Sequence, residues 1–237
     1  DFSPVTVDNL LSKEYAAMRR AEINPQRARA AMEIQSGTFD DYESTDTTHF
    51  SVADTAGNVV ANTYTLNFSF GSHIVAPGTG VLLNNEMADF MSKPGTPNAF
   101  GLIESQANEV AAGKRPLSSM SPTLVFKDGR PWLATGSPGG SLIISTVMQT
   151  ILNAMTFDMN IAAAAGSARV HHQWMPDTLR LESGISKDTV DKLKELGHPV
   201  EENVRTLGRT QSIMLQNGWF LGATDTRRPG GWVAGAQ

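Results

Sequence analysis

Two adjacent threonines, Thr47 and Thr48, stand where a polar stretch meets a β-type run. A threonine hydroxyl is a weak nucleophile unless a base lies beside it. If the chain is cut before Thr47, the new α-amino group is that base, because its reference pKa of about 7.7–8.0 leaves part of it neutral at neutral pH. Taken alone, the pair fits the start of an ordinary strand better, since β-branched residues favour strands.

A glycine-rich run, Gly136-Ser137-Pro138-Gly139-Gly140, precedes a strongly apolar stretch that predicts a helix. Glycines let backbone approach a ligand closely, and N–H groups at a helix start favour negative charge. The run therefore suits an oxyanion hole, although its spacing alone slightly favours a plain strand-to-helix turn. A phosphate-binding P-loop is excluded, because no Lys-Ser/Thr pair follows.

Two further polar clusters have the chemistry to bind the ends of an amino acid. Residues 114–122 combine cations with hydroxyls that can hold a carboxylate, and residues 84–89 combine amides with carboxylates that can hold an ammonium group. Surface turns explain both clusters as well. Adjacent His171 and His172 point apart and lack a metal-ligand spacing, so we expect a structural role. The absence of a GxSxG elbow disfavours a Ser-His-Asp hydrolase.

The elements around Thr47 explain how it is placed. Residues 8–22 predict a helix capped by Asp8 or Asn9, and residues 24–46 predict a long exposed connection. Strands are expected at 48–54 and 58–66, joined by a tight turn at 55–57. Thr47 is thereby placed at the front edge of a strand, directly after the connection.

Downstream, the pattern predicts mainly loop at 77–101, followed by strand pairs and helices in segregated order. This order favours stacked sheets with helices outside rather than a Rossmann-type fold. The predicted elements are a hairpin at 122–136, a buried apolar helix after 137–140, a short helix at 161–168, an amphipathic helix at 186–197 and a hairpin at 209–224.

Composition narrows the classes of function. Hydrophobic residues make up 40% and charged residues 18%, with a net charge of −5, a pI near 5.5 and no cysteine. A globular, mildly acidic chain without a basic stripe is not expected to bind nucleic acid. Without an apolar run of about 18 residues, a membrane span is not expected either. The opening residues are typical of the middle of a domain, so we expect a piece of a longer product.

The motifs together carry a resemblance that none carries alone. The run TTHFSVADTAGNVVANTYTLNFSFG resembles the start of the small subunit of gamma-glutamyltransferases, and AEINPQRA and YES resemble the end of the family's large subunit. The rest of the match follows in family order: GVLLNNEMADF, KRPLSSMSPT, ATGSPGGS, RVHHQWMPD and TQSIM.

The resemblance implies an α+β fold, the αββα sandwich of N-terminal nucleophile hydrolases. It divides the chain into residues 1–46, the end of the large subunit, and residues 47–237, the small catalytic subunit, with self-cleavage at Asp46–Thr47. It also assigns roles: Thr47 as nucleophile, Thr65 as its hydrogen-bond partner, Gly139 and Gly140 as the oxyanion hole, Asn67, Glu86 and Asp89 on the substrate α-amino group, and Ser118 and Ser119 on its α-carboxylate.

By the same resemblance, Thr47 takes the γ-glutamyl group from glutathione or a related compound and passes it to water, an amino acid or a peptide. No cofactor and no metal are implied, and the location implied is the periplasm or the medium. Residues 90–101 resemble a pocket lid, with Phe100 where close relatives carry Tyr. The family's carboxylate-binding Arg lies upstream in the large subunit, which is the expected partner of this chain.

Two alternatives remain open at this point. The first is an acylase of the same family acting on glutaryl side chains, which lack the α-amino group. Asp89 argues against it, because the related acylases resemble this pattern with Asn there. The second is a non-catalytic scaffold that never self-cleaves, although a scaffold needs none of these groups together.

Overall fold

Residues 7–34, 47–91, 93, 96, 106–204, 206–227 and 229–235 are described by a computed structural model. The helices are α1 (Val7–Leu10), α2 (Lys13–Ala21), α3 (Leu142–Met155), α4 (Ile161–Gly166) and α5 (Lys187–Glu195). The strands are β1 (Thr47–Ala53), β2 (Val59–Thr65), β3 (Thr123–Lys127), β4 (Arg130–Thr135), β5 (Val170–His171), β6 (Leu179–Glu182), β7 (Val200–Val204), β8 (Gln211–Gln216) and β9 (Trp219–Thr224). Short 3₁₀ turns lie at Ala31–Glu33, Glu86–Asp89 and Gln106–Asn108.

The hairpin that carries Thr47 is closed by local side-chain bonds. Strands β1 and β2 pair antiparallel, with Thr47 opposite Thr65. At the turn, the Asn58 backbone N–H donates to Asp54 Oδ1 at 2.9 Å and the Asn58 amide to Asp54 Oδ2 at 2.8 Å. Such Asx bonds pin the turn and hence the register. The predicted first hairpin is confirmed.

The other two predicted hairpins pair with each other in one sheet, in the order β3-β4-β8-β9. Both turns place an acidic or amide residue and then a glycine in the left-handed region, with φ 53° and 75° at Asp128-Gly129 and 52° and 81° at Asn217-Gly218. Two consecutive positive φ values are the signature of a tight type I′ hairpin. These predictions are confirmed.

The β1-β2 hairpin covers one face of the four-stranded sheet, while α3 and α4 cover the other. Between sheet and helices lies a core of Leu133, Ala154, Ile161, Ala164, Ala165, Met214 and Ala223. The fold is α+β, of the αββα sandwich type predicted. The described residues supply one helical layer and both sheet layers.

Several details differ from the predicted pattern. The predicted N-terminal helix is broken into two, because Ser12 adopts an extended backbone conformation. Its hydroxyl accepts from the Tyr15 N–H at 3.0 Å, so Ser12 caps α2. The prediction of one long helix capped by Asp8 or Asn9 is therefore wrong.

A small sheet in the order β5-β6-β7 was not predicted. Its strands are two to five residues long, too short for a clear alternation of apolar and polar positions.

The prediction that α3 is buried is only half correct. Ile143 and Val147 on its inner face are at most 3% exposed, whereas Ile144, Met148 and Met155 are more than half exposed. The outward side of the β1-β2 hairpin is similarly apolar, with Phe50, Val52, Val60 and Tyr64 all exposed. Apolar surface on this scale is typical of an interface. Among the described residues, no helix is both long enough and apolar enough to cross a bilayer.

A buried charge network ties the C-terminal stretch to this scaffold. Arg169 Nη1 lies 2.8 Å from Asp225 Oδ2, and neither side chain is more than 2% exposed. Arg227 bridges Asp225 and Glu182 at 2.9 Å to each. Burial lowers the pKa of the Arg169 guanidinium and outweighs the opposing effect of Asp225. Each buried charge therefore depends on its partners.

We predict that Arg169→Met lowers the free energy of unfolding by about 3–5 kcal/mol, because it leaves buried carboxylates with one guanidinium instead of two. Urea denaturation measures the change. Lys187→Met is the control, because the Lys187–Asp191 pair is 85% and 49% exposed and solvent screens it. Equal urea midpoints for Arg169→Met and the parent protein would show that the network contributes nothing.

Candidate active site

The Thr47 hydroxyl is positioned by the cross-strand neighbour that the sequence predicts. Thr47 is 9% exposed, and its Oγ1 donates to Thr65 Oγ1 at 3.2 Å. The two residues face each other in the register of β1 and β2, so the bond follows directly from strand pairing. A nucleophile candidate held in this way has one preferred hydroxyl orientation.

Asn67 turns the chain immediately after β2. Its φ of 76° lies in the left-handed region, which asparagine tolerates better than most residues. This conformation lets the Asn67 backbone N–H donate to Thr65 Oγ1 at 2.8 Å. The Asn67 side chain then donates to Asp89 Oδ1 at 3.2 Å and to the Asn85 carbonyl at 3.3 Å. Thr65 and Asn67 therefore link Thr47 to the 85–89 turn.

Asn108 extends this chain of contacts to the serine-rich segment. It is 7% exposed, and its amide donates to the Asp89 carbonyl at 2.7 Å. Its Oδ1 accepts from the Leu117 N–H at 3.0 Å. Because Leu117 precedes Ser118, one buried side chain ties the two predicted substrate-binding clusters together. Sequence reasoning missed Asn108, since it lies in an irregular stretch without periodicity.

The remaining predicted binding residues lie on the solvent side of this chain of contacts. Glu86 and Asp89 are half-buried and lie at the two ends of one 3₁₀ turn. Ser118 is exposed, and its hydroxyl accepts from the Met120 N–H at 3.2 Å. Ser119 is half-buried, and its carbonyl accepts from Ser121 Oγ at 3.0 Å. The carboxylates and hydroxyls are accessible to a ligand, and their backbone is held from within.

His49 joins the nucleophile strand to the glycine-rich run. It lies on the same face of β1 as Thr47 and is 4% exposed. A Cβ on Gly136 would lie 2.3 Å from His49 Cε1, so only glycine permits the ring to sit there. The imidazole therefore packs directly against the backbone at the end of β4. Sequence reasoning missed His49, although strand alternation places it on the Thr47 side.

The His49 ring is held as one neutral tautomer. Ser51 Oγ donates to the Gln211 carbonyl at 3.1 Å and so accepts from His49 Nε2 at 3.2 Å. Nδ1 therefore carries no proton and accepts from Thr63 Oγ1 at 2.8 Å. Burial lowers the His49 pKa from 6.5 to about 4, so the ring is neutral at neutral pH.

A turn formed by Gly139 and Gly140, here named the glycine turn, begins three residues after Gly136. Gly139 and Gly140 have φ values of 136° and 54°, which side chains rarely adopt. Their carbonyls accept from the Leu142 and Ile143 N–H groups at 3.0 and 3.2 Å, so the turn runs directly into α3. The Arg209 N–H donates to Ser137 Oγ at 2.8 Å and supports the turn from the neighbouring loop. The prediction that this run connects a strand to a helix is confirmed, since it lies between β4 and α3.

The buried charge network holds that neighbouring loop. The Leu207 N–H donates to Glu182 Oε1 at 2.6 Å, and the Leu207 carbonyl accepts from Arg169 Nη1 at 2.9 Å. Both polar backbone groups of Leu207 are thus bound to charged side chains. The support beneath the glycine turn is therefore rigid.

Two predicted residues, Asp46 at the cleavage site and Phe100 in the lid, lie outside the described residues, as does most of 90–101. Within the described part of the chain, no group of three or more His, Asp or Glu side chains is arranged to hold a metal ion. His171 Nδ1 bonds to Ser145 Oγ at 2.7 Å, and His172 Nε2 bonds to Asp177 Oδ1 at 3.2 Å.

Comparison with known proteins finds matches along almost the whole chain. The family model described as gamma-glutamyltranspeptidase matches residues 1–235. The glutathione hydrolase proenzyme of Escherichia coli is 49% identical over 236 residues, which are 99% of this chain and 40% of that protein. This chain thus spans about two-fifths of the length of that relative.

Two solved structures are similar to this chain in both fold and sequence. A gamma-glutamyltranspeptidase from Pseudomonas nitroreducens, complexed with L-DON, is 42% identical with a TM-score of 0.73, and the match covers 80% of this chain and 100% of that one. A cephalosporin acylase from Bacillus halodurans is 26% identical with a TM-score of 0.77, covering 98% of this chain and 40% of that one.

We predict that His49 makes stability depend on pH between about 6.5 and 4. In this window the unfolded chain binds a proton that native His49 does not, so the free energy of unfolding falls as pH falls. His49→Asn should reduce this slope by up to about 1.4 kcal/mol per pH unit, the limit for one proton.

Urea denaturation from pH 7.5 to 4.5 measures both slopes. His73→Asn is the matched control, because the His73 side chain is exposed and asparagine suits its φ of 61°. If His49→Asn and the parent lose stability in parallel, His49 is not the titrating group.

Proposed function

The chain belongs to the gamma-glutamyltranspeptidase family, and on that premise we propose that it carries the catalytic part of a γ-glutamyl acyltransferase and glutathione hydrolase. The observation that carries the proposal is the chain of contacts from Thr47 through Thr65 and Asn67 to Asp89. It connects a hydroxyl at a strand start with a carboxylate suited to an ammonium group. A scaffold protein has no need for this combination.

In the proposed reaction, Thr47 Oγ1 attacks the γ-carbonyl carbon of the donor, and the α-amino group of Thr47 takes the hydroxyl proton. The resulting oxyanion lies at the turn of Gly139 and Gly140, where backbone N–H groups and the start of α3 favour negative charge. The amide C–N bond then breaks, and the leaving amine takes the proton. A γ-glutamyl ester remains on Thr47.

The second half of the reaction reverses these roles. Water or the amino group of an amino acid or peptide attacks the ester carbonyl, and the Thr47 amine removes its proton. The ester C–O bond breaks, and the proton returns to Thr47 Oγ1. Water yields glutamate, whereas an amine yields a new γ-glutamyl amide.

Recognition of the donor falls to the two clusters that Asn108 ties together. Asp89, Glu86 and Asn67 hold the α-ammonium group by charge-assisted hydrogen bonds, while Ser118 and Ser119 hold the α-carboxylate. Because Asn108 bonds to both segments, it sets the spacing between the two ends of the amino acid. We place the family's additional carboxylate-binding Arg, and the lid residue Phe100, in the same pocket.

The α-amino base exists only after cleavage between Asp46 and Thr47. We propose that the Thr47 hydroxyl attacks the Asp46 carbonyl carbon. The Asp46–Thr47 C–N bond then breaks, and the Thr47 nitrogen takes the hydroxyl proton and becomes a free amine, which leaves an ester between Asp46 and Thr47 Oγ1. Water hydrolyses this ester, which restores the Thr47 hydroxyl and leaves a carboxylate on Asp46. Residues 47–237 are about four-fifths of this chain. The solved Pseudomonas chain is matched in full by 80% of this one, which supports a natural boundary near Thr47.

A large partner completes the proposed enzyme. The outward face of α3 and the outward face of β1-β2 are apolar and exposed, as expected for surfaces that another polypeptide covers. We propose that the upstream part of the same precursor covers them and supplies the second helical layer. By family resemblance, we place the assembled enzyme in the periplasm or the medium.

The alternative function is that of a glutaryl acylase. The observation that favours this alternative is the fold match to the Bacillus halodurans cephalosporin acylase. That acylase is 26% identical to this chain, whereas the Escherichia coli glutathione hydrolase proenzyme is 49% identical. Glutaryl groups have no α-amino group, so a carboxylate suited to an ammonium group, such as that of Asp89, would have no ammonium group to bind in such a site.

We predict that the full-length precursor cleaves itself between Asp46 and Thr47, and that Thr47→Ala abolishes both cleavage and γ-glutamyl transfer. Intact-mass spectrometry after incubation at neutral pH measures cleavage, and release of p-nitroaniline from γ-glutamyl-p-nitroanilide measures activity. A wild-type precursor that stays intact would instead support an inert scaffold.

We predict that Asp89→Asn reduces kcat/KM for γ-glutamyl-p-nitroanilide by about 10- to 100-fold, the effect of losing a charged hydrogen bond. Turnover of glutaryl-p-nitroanilide should change little, because that substrate has no ammonium group. Asp128→Asn in the β3-β4 turn is the matched control. Faster glutaryl than γ-glutamyl turnover by the parent enzyme would favour the acylase.

A further inference from the structure

We propose that the loop His172–Asp177, here named the clasp loop, holds residues 28–34 and keeps holding them after the Asp46–Thr47 bond is cut. The clasp loop lies downstream of the cut and its occupant lies upstream. The contact then joins two polypeptides, so the second half of the proposal rests on the proposed function.

The contact is centred on the backbone of Ala31. Its N–H donates to Asp177 Oδ2 at 2.8 Å, and its carbonyl accepts from Trp174 Nε1 at 2.7 Å. These bonds span 146 and 143 residues of sequence. Ala31 itself is 1% exposed, although it lies in a stretch with little regular structure. Side chains of the clasp loop thus satisfy both the N–H and the carbonyl of this buried residue, as buried polar groups require.

The clasp loop is organised by its own bonds. The Trp174 N–H donates to His172 Nδ1 at 3.0 Å, and His172 Nε2 lies 3.2 Å from Asp177 Oδ1. Trp174 adopts a φ of 75°, which is rare for a bulky residue and persists only where the surroundings hold it. The Asp177 carboxylate is thus shared between the loop and Ala31.

A second contact fixes the direction of the held segment. The Ala28 N–H donates to the Leu196 carbonyl at 2.6 Å, just after α5. The Ala31–Glu33 turn follows at once, with the Ile34 N–H donating to Ala31 O at 2.9 Å. Residues 28–34 therefore lie along the small-sheet side of the molecule through backbone bonds that do not involve residues 35–46.

This arrangement explains how the upstream product stays attached. The two described bonds between the clasp loop and Ala31 involve neither Asp46 nor Thr47, so cutting the Asp46–Thr47 bond breaks neither of them. The bonds go to main-chain atoms, and the small side chain of Ala31 fits the buried position. The occupant is the C-terminal segment of the upstream product of the same precursor.

Hydrogen exchange, followed by mass spectrometry on the full-length protein, tests the proposal. In the Thr47→Ala precursor, Trp174→Phe should speed exchange of peptide 28–34 about 10-fold, the effect of losing one hydrogen bond to a buried group. Asp177→Ala should do the same, whereas Asp177→Asn keeps an oxygen acceptor and should retain most of the protection. Trp132→Phe on β4 is the matched control, and the α3 peptide is the internal reference.

The cleaved enzyme supplies the second comparison. Peptide 28–34 should remain as protected after cleavage as in the Thr47→Ala precursor. Loss of its protection on cleavage, or unchanged exchange in Trp174→Phe and Asp177→Ala, would overturn the clasp. If the wild-type chain never cleaves, the proposed function fails, while the precursor comparison still decides whether the clasp loop holds Ala31.

Discussion

The packing of His49 against Gly136 is the contact on which the geometry of the site depends. It is the point where the nucleophile strand meets the four-stranded sheet, and a single methyl group on Gly136 would push the two apart. Thr47 is two residues before His49 on the same face of β1, and Gly139-Gly140 follow three residues after Gly136. One close approach thereby relates the proposed nucleophile to the proposed oxyanion turn, which are almost a hundred residues apart in the sequence. Burying an imidazole costs desolvation free energy. Here the ring is neutral and both of its nitrogens are hydrogen-bonded, which offsets that cost.

From this contact, the site is held by buried hydrogen bonds rather than by packing alone. Thr65, Asn67 and Asn108 are polar residues that connect successive backbone segments, and each bonds to the next segment through a side-chain amide or hydroxyl. Such side chains reduce the freedom of loops that have no ladder bonds of their own. The groups assigned to substrate are therefore placed before a ligand arrives, which lowers the ordering cost of binding.

What the sequence predicts well is local. All three hairpins follow from turn residues such as Asp128-Gly129, and α5 follows from its amphipathic period and from Gly197 beyond its end. The order of motifs further selects Thr47, Thr65 and Asn67, which hydrogen bonds bring together, while their roles stay predictions. Asn108 and His49 are not predicted, because their roles arise from contacts between distant segments that no period records. The exposed side of α3 is not predicted either. The sequence of an apolar helix is the same whether its outer face packs against this chain or against another polypeptide.

The segments on the two sides of the proposed cleavage site are each held by contacts with residues downstream of that site. Downstream, Arg169, Asp225, Glu182 and Arg227 hold the loop beneath the glycine turn, and none of these bonds involves residues before Thr47. Upstream, Ala31 is held by Trp174 and Asp177, which also lie downstream of the cut. If the Asp46–Thr47 bond is cut as proposed, none of these named contacts loses an atom, because none of them involves Asp46 or Thr47. A nucleophile that must become a chain terminus can be released in this way only if the fold around it does not depend on the bond it loses.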